Sequence, residues 1–176
     1  MGSKSILLSL FRYKAWANEE LFNELQSACV QEPQTVLHTA IRILNHVYVV
    51  DSIFAAHLHG EKHAYTQTNT EETPSLGDLL SAVRESDLEY IDYIEKLSPE
   101  DLRERIDFRF TDGNLGRMSR EEMLVHVATH GGYHRGAVGR AVPQLSKAPP
   151  RDSFSSYLHA AEPGRRVLHE DDDSGG

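Results

Sequence analysis

Apolar positions recur at helical spacing along most of this chain. Leu8, Phe11, Ala15, Leu21, Phe22 and Leu25 form one stripe and predict a first helix from about Ser5 to Ala28. A second stripe, from Leu37 and Ala40 through Leu44 and Val47 to Phe54, predicts a helix from near Pro33 to about His59. Proline suits a first helical turn, where its missing N–H is not needed, and Gly60 suits the C-terminal cap. Glu61 to Thr73 is polar and reads as a long loop. Thr73-Pro74-Ser75 then announces a third helix, with Ser75 as N-cap and Asp78 three residues on. Its apolar positions Leu79, Val83, Leu88, Ile91, Ile94 and Leu97 run up to Ser98-Pro99, where a short turn begins.

Between Leu102 and Met118 the period changes. Ile106, Phe108 and Phe110 alternate with Arg105, Asp107 and Arg109, and Thr111-Asp112-Gly113-Asn114 follows, which together predict a short hairpin. Ser119-Arg120-Glu121-Glu122 is a capping box, and Met118 with Met123 suits the matching hydrophobic staple. The helix that starts there carries Leu124, Val127, His130, His134 and Val138 and ends before Pro143. Four long helices and one long crossover loop describe an all-α protein, a four-helix bundle with a short β-hairpin before the last helix. No internal repeat is found.

Length and charge narrow the picture. A chain of 176 residues is one domain by size. The expected division is a bundle over 1–160 and a disordered acidic tail over 161–176. In the last seventeen residues five acids stand against two arginines, part of a net charge of −9. An acidic body without a basic stripe argues against nucleic-acid binding, which depends on neutralising phosphates. The single cysteine, Cys29, offers neither a disulfide framework nor a thiolate zinc motif. No signal peptide, myristoylation pattern or membrane-spanning run is found, so the expectation is a soluble, cytoplasmic protein with no membrane partner.

The chemistry concentrates in His130-Gly131-Gly132-Tyr133-His134-Arg135-Gly136. Two histidines four apart on a helix stack on one face, and an imidazole pair so placed grips one cation. His126 extends the series, so spacing alone leaves open which adjacent pair binds. His46, deep in the second helix, is the best candidate for a third ligand. The alternative is a stripe of packed core histidines, since ten histidines make such pairs common. Gly131 and Gly132 each cost the helix about 1 kcal/mol relative to alanine, and suggest a close helix approach or room for a ligand. Gly131 also stands where His-Glu-x-x-His has its glutamate, so that general base is missing. His57, His59 and His63 straddle a helix end and a polar loop and read as solvated. His38 and His159 are unremarkable. Asp51, five residues after His46, reads as a partner of a ligand or a surface charge.

Leu44-Asn45-His46 with Asp51, together with His126 to Gly136, resembles the DinB family of metal-binding proteins. Tyr13-Lys14-Ala15-Trp16-Ala17-Asn18 is similar to that family's opening helix, and the similarity spans about Leu7 to Leu145. The resemblance implies up-down-down-up connectivity, a homodimer, and a divalent metal, zinc or nickel, held by His46, His130 and His134. His126 then becomes a non-ligating neighbour. The family often continues His-Arg-Gly-Gln, whereas Ala137 follows Gly136 here, so any role of that glutamine amide is lost.

Three neutral imidazoles leave open positions on a cation for a substrate. The resemblance implies a metal-dependent transferase that activates a small thiol cosubstrate, with no acid or base residue identifiable from the sequence. The alternatives are a metal-dependent hydrolase of a small substrate, for which Asp51 is the nearest candidate base, and a non-enzymatic, stress-related protein with a closed metal site completed by His126 or Asp51. Arg135 reads as a surface salt-bridge residue, with anion attraction as the rival role. Trp16 reads as core or interface, and Tyr133 points away from His134.

Overall fold

The structure is a computed structural model that describes residues 2–28, 34–145 and 148–166. Four long helices carry it: α1 (Ser3–Ala28), α2 (Gln34–His59), α3 (Leu76–Lys96) and α5 (Arg120–Gly139). A short helix α4 (Pro99–Arg103) and a hairpin of β1 (Arg105–Arg109) and β2 (Leu115–Ser119) separate α3 from α5. A 3-10 turn (Val142–Leu145), a final helix α6 (Phe154–Ala161) and a second 3-10 turn (Pro163–Arg165) follow. The all-α reading and the hairpin ahead of the last long helix both hold. Pro33 lies outside the described residues.

The helix starts follow local chemistry. The Ser75 hydroxyl accepts the Asp78 N–H at 3.1 Å. At α5 the capping box is complete: the Ser119 hydroxyl accepts the Glu122 N–H, and the Glu122 carboxylate accepts the Ser119 N–H at 2.7 Å. Each pair satisfies amide groups that a helix N-terminus leaves without partners. Met118 and Met123 lie in one apolar cluster, as a staple requires. The end of α2 is a two-bond reversal in which Gly60 N–H donates to the His57 carbonyl and Glu61 N–H to the Ala56 carbonyl. Gly60 sits at φ +71°, a conformation that disfavours any side chain.

Around the bundle the helices neighbour each other in the order α1, α3, α2, α5, so α1 and α2 lie on a diagonal. Two apolar clusters fix their directions. One joins Leu7 and Phe11 of α1, Phe54 and Leu58 of α2, Tyr90 and Ile94 of α3, and Met123, Leu124 and Val127 of α5. The other joins Leu21 and Leu25 of α1, Ala40 and Leu44 of α2, Leu76 and Val83 of α3, and Val138 of α5. The first cluster therefore gathers the start of α1, the ends of α2 and α3, and the start of α5. That is up-down-down-up. Because α2 and α3 are parallel, the loop between them must return along the full length of the bundle.

The hairpin pairs Ile106 with Met118 and Phe108 with Gly116. A Cβ at Gly116 would lie 2.5 Å from the Phe108 ring, so glycine there lets Phe108 lie across β2 while entering the core. α6 is an addition to the expected elements. Phe154 and Tyr157 pack on Tyr13, and Tyr157 also reaches Trp16. Of the expected tail, residues 163–165 form a 3-10 turn, and 167–176 lie outside the described residues.

Candidate metal centre

His46 comes from the middle of α2, and His130 and His134 from successive turns of α5, the antiparallel neighbour of α2. One ring nitrogen from each lies within 4.8 Å of the others. The Nε2 atoms of His46 and His130 are 3.2 Å apart. All three residues are half-buried, so the cluster sits in the bundle wall with one side open.

The loop between α2 and α3 orients His46. Its Nδ1 lies 2.7 Å from the Thr68 carbonyl, an acceptor only, so Nδ1 carries the proton and Nε2 keeps its lone pair. The loop is itself pinned to α2: Asn45 donates to Asn69 Oδ1 at 2.5 Å and to Thr70 Oγ1 at 2.6 Å, and Asn69 donates to the Arg42 carbonyl at 3.0 Å. Carbonyl-oriented imidazoles of this kind are characteristic of metal ligands. His130 Nδ1 is buried and has no partner. Burial, and then the His134 and His46 rings, push His130 down to about 3. Burial and His46 lower His134, and burial lowers His126. Near neutral pH, His130 is therefore an uncharged ring with one nitrogen lone pair available. Nitrogen lone pairs that face one another across 3.2 Å repel unless a proton or a cation lies between them. The donor set fits a borderline divalent cation.

His126 stays outside the cluster. Its ring stacks on His130 at 5.4 Å between centroids and packs on Phe54 at 4.6 Å. Among the described residues no fourth His, Cys, Asp or Glu joins the three.

A charged layer that the sequence did not reveal lies in the core behind α5. Lys14, 1% exposed, is held by Asp87 at 2.5 Å and by Asp51 at 2.9 Å. Asn18 donates to the second oxygen of Asp87 at 2.8 Å and accepts from Arg135 at 3.3 Å. Arg135 continues to Asp152 at 2.8 Å, and Tyr13 donates to the same carboxylate. Two carboxylates share one lysine, so burial pushes Asp51 up to about 6 against the pull of Lys14. The attraction of both acids outweighs burial for Lys14, which is raised to about 12.

This layer corrects several expectations. Asp51 is neither a surface charge nor a partner of a ligand imidazole but the buried counter-ion of Lys14. Arg135 is buried, not on the surface, and is committed to Asp152 and Asn18. His57 and His63 are half-buried, and only His59 is exposed, facing Glu89 at 3.3 Å. A Cβ at Gly131 would come within 3.3 Å of Arg135 and 3.4 Å of Lys14, so this glycine admits the charged layer. Gly132 has no comparable neighbour. Trp16 belongs to the α1–α6 aromatic contact, and Tyr133 is 77% exposed. Lys14, Asn18 and Asp87 each fall on the apolar stripe of their helix, the signal by which they were detectable.

The family model described as DinB family matches residues 1–167. The protein named DinB from Bacillus subtilis (strain 168) is 26% identical over 162 residues, covering 85% of this chain and 91% of that protein. No solved structure matches the chain. With its up-down-down-up bundle and a three-histidine cluster suited to a metal ion, this chain belongs to the DinB family.

Proposed function

We propose that this protein is a metal-dependent transferase that activates a small thiol for attack on an electrophilic carbon. The carrying observation is the open three-histidine set His46, His130 and His134, with no fourth protein ligand among the described residues. Structural zinc sites are usually closed by four protein ligands, whereas sites that do chemistry keep a position free. Zinc or nickel held there would supply Lewis acidity, which lowers the pKa of a coordinated thiol or water.

The chain's own residues hold and orient. Thr68 fixes the His46 tautomer, and the Asn45–Asn69–Thr70 contacts fix Thr68. In the transfer, the thiol loses its proton to solvent, its sulfur forms the new S–C bond, and the displaced group leaves with its electron pair. The hydrolytic reading wants a general base beside the ion. Asp51, its nearest candidate, is engaged with Lys14 in the core, and this favours the thiol reading. We also propose a cytoplasmic homodimer. No helix among the described residues is long and apolar enough to cross a membrane.

Elemental analysis of untagged wild type and His130→Ala tests the centre, with one tightly held metal per chain expected in wild type and none in the variant. The metal-loaded protein is then assayed with small thiols and an activated aryl halide, following thiol consumption. Metal-free wild type that takes up no zinc or nickel on dialysis refutes the centre. A loaded protein that leaves thiol consumption at the uncatalysed rate with every thiol refutes the transferase.

A further inference from the structure

The histidines at the end of α2 form a second cluster, separate from the three ligands above. The Gly60 reversal turns the chain back so that the His63 ring meets the His57 ring at 5.1 Å between centroids, 77° apart. His57 Nε2 and His63 Nδ1 are both buried, and neither has a hydrogen-bond partner. Two buried ring nitrogens left unsatisfied side by side are uncommon in a folded protein and call for an explanation.

The first centre provides an internal yardstick. His46 and His130, ligands of one cluster, have the same centroid spacing of 5.1 Å and a comparable interplanar angle of 63°. Two imidazoles on one tetrahedral cation, each with a bond of about 2.0–2.1 Å, place their donor nitrogens roughly 3.4 Å apart, a separation that this ring spacing allows. Burial, and then the neighbouring His63 ring, disfavour protonation of His57, against a smaller pull from the Arg109 backbone. A hydrogen bond between the two rings is not formed. A bridging water would sit against the aromatic walls built by Phe54 and Phe108, which offer it no hydrogen bonds.

We propose that His57 and His63 form a second, weaker site for a borderline divalent cation of the zinc, nickel or copper class. Two imidazoles without a thiolate or carboxylate suit those ions rather than magnesium or calcium. The site has a structural consequence. The loop that carries His63 also carries Thr68, whose carbonyl orients His46. A cation at His57 and His63 ties the start of that loop to α2, while Asn45 ties its far end. The inference does not rest on the transferase reading or on occupancy of the first centre.

The test uses the full chain and zinc as probe. Equilibrium dialysis against buffered free zinc gives the stoichiometry of wild type, His63→Ala and His130→Ala, and long-range proton–nitrogen spectra follow the histidine rings of wild type. Wild type is expected to bind two equivalents in two phases. His63→Ala retains only the tight one, and His130→Ala retains only the weak one. The His57 Nε2 and His63 Nδ1 signals shift together with the second equivalent. A single equivalent in wild type with those two signals unmoved overturns the proposal in favour of a bridging water only. A second equivalent that persists in His63→Ala and leaves the signals in place overturns it as surface binding elsewhere. If His63→Ala does not fold, as far-UV circular dichroism would show, the wild-type spectra decide alone. Loss of the tight phase in wild type would strike the first centre and leave this one standing.

Discussion

Replacing Lys14 with methionine is the most direct probe of the charged layer. The change keeps the length and apolar stem of the side chain and removes the charge that contacts both Asp51 and Asp87. All three residues are at most 3% exposed, so water cannot compensate. Removing one partner of a buried ionic group costs about 3–5 kcal/mol, because the remaining charge is left buried without compensation. With a urea slope of about 2 kcal/mol per molar, the unfolding midpoint falls by roughly 2 M at pH 7.5. The pH dependence gives a sharper signature. A carboxyl whose folded pKa lies above its unfolded value binds its proton more tightly in the folded state. Such a group adds stability as pH falls through the folded value, with the full contribution reached below the unfolded one. In wild type this begins near pH 6, where burial has placed Asp51. Without Lys14 the folded value rises further, so the variant takes up its proton at higher pH than wild type does. Between pH 7.5 and 6 the variant therefore gains on wild type by about 1.4 kcal/mol per pH unit, roughly 2 kcal/mol in total. Urea unfolding followed by far-UV circular dichroism, on protein stripped with chelator so that only metal-free forms are compared, measures both numbers. A difference below about 1 kcal/mol at pH 7.5, or one that does not change between the two pH values, refutes the description of Lys14 as the obligatory counter-ion.

Asn45→Ala leaves the three ligands in place but releases Asn69 and Thr70, and with them the Thr68 carbonyl. Metal affinity measured by chelator competition is expected to fall about 10–100-fold, as for other partners that orient a ligand, and unchanged affinity would sink the idea that the loop orients His46. The glycine pair separates helix propensity from packing. Gly132→Ala meets only Arg135 at 3.8 Å and is expected to raise stability by about 1 kcal/mol. Gly131→Ala carries the same propensity gain but presses on Arg135 and Lys14, both anchored by ion pairs, and is expected to be less stable than Gly132→Ala by about 1–3 kcal/mol. Equal thermal midpoints for the two variants would contradict that reading.

The limits of the sequence are visible in particular residues. Lys14 falls on the apolar stripe with Phe11, Asn18 and Leu21, and that position marks it as buried without saying what neutralises it. Its meaning depends on Asp51 and Asp87, carried by two other helices. Glu61 to Thr73 carries no helical or strand periodicity, so nothing local shows that Thr68 will accept from His46 or that His63 will turn back onto His57. α6 is eight residues long and is held by contacts with α1, too few turns for periodicity to announce it.

What the sequence determined by itself is what depends on near neighbours along the chain. Helix extent follows from apolar spacing, helix starts from serine and acid three residues apart, the α2 terminus from Gly60, and the facing pair His130 and His134 from the pitch of a helix. The tertiary structure decided what depends on which helices meet. Parallel packing of α2 and α3 sends the crossover loop back along the bundle, where it supplies the acceptor for His46. Antiparallel packing of α2 and α5 brings the third histidine to the other two. Burial then gives Lys14, Asp51 and Arg135 their partners, because a charge withdrawn from water must find its counter-charge wherever the fold has placed one.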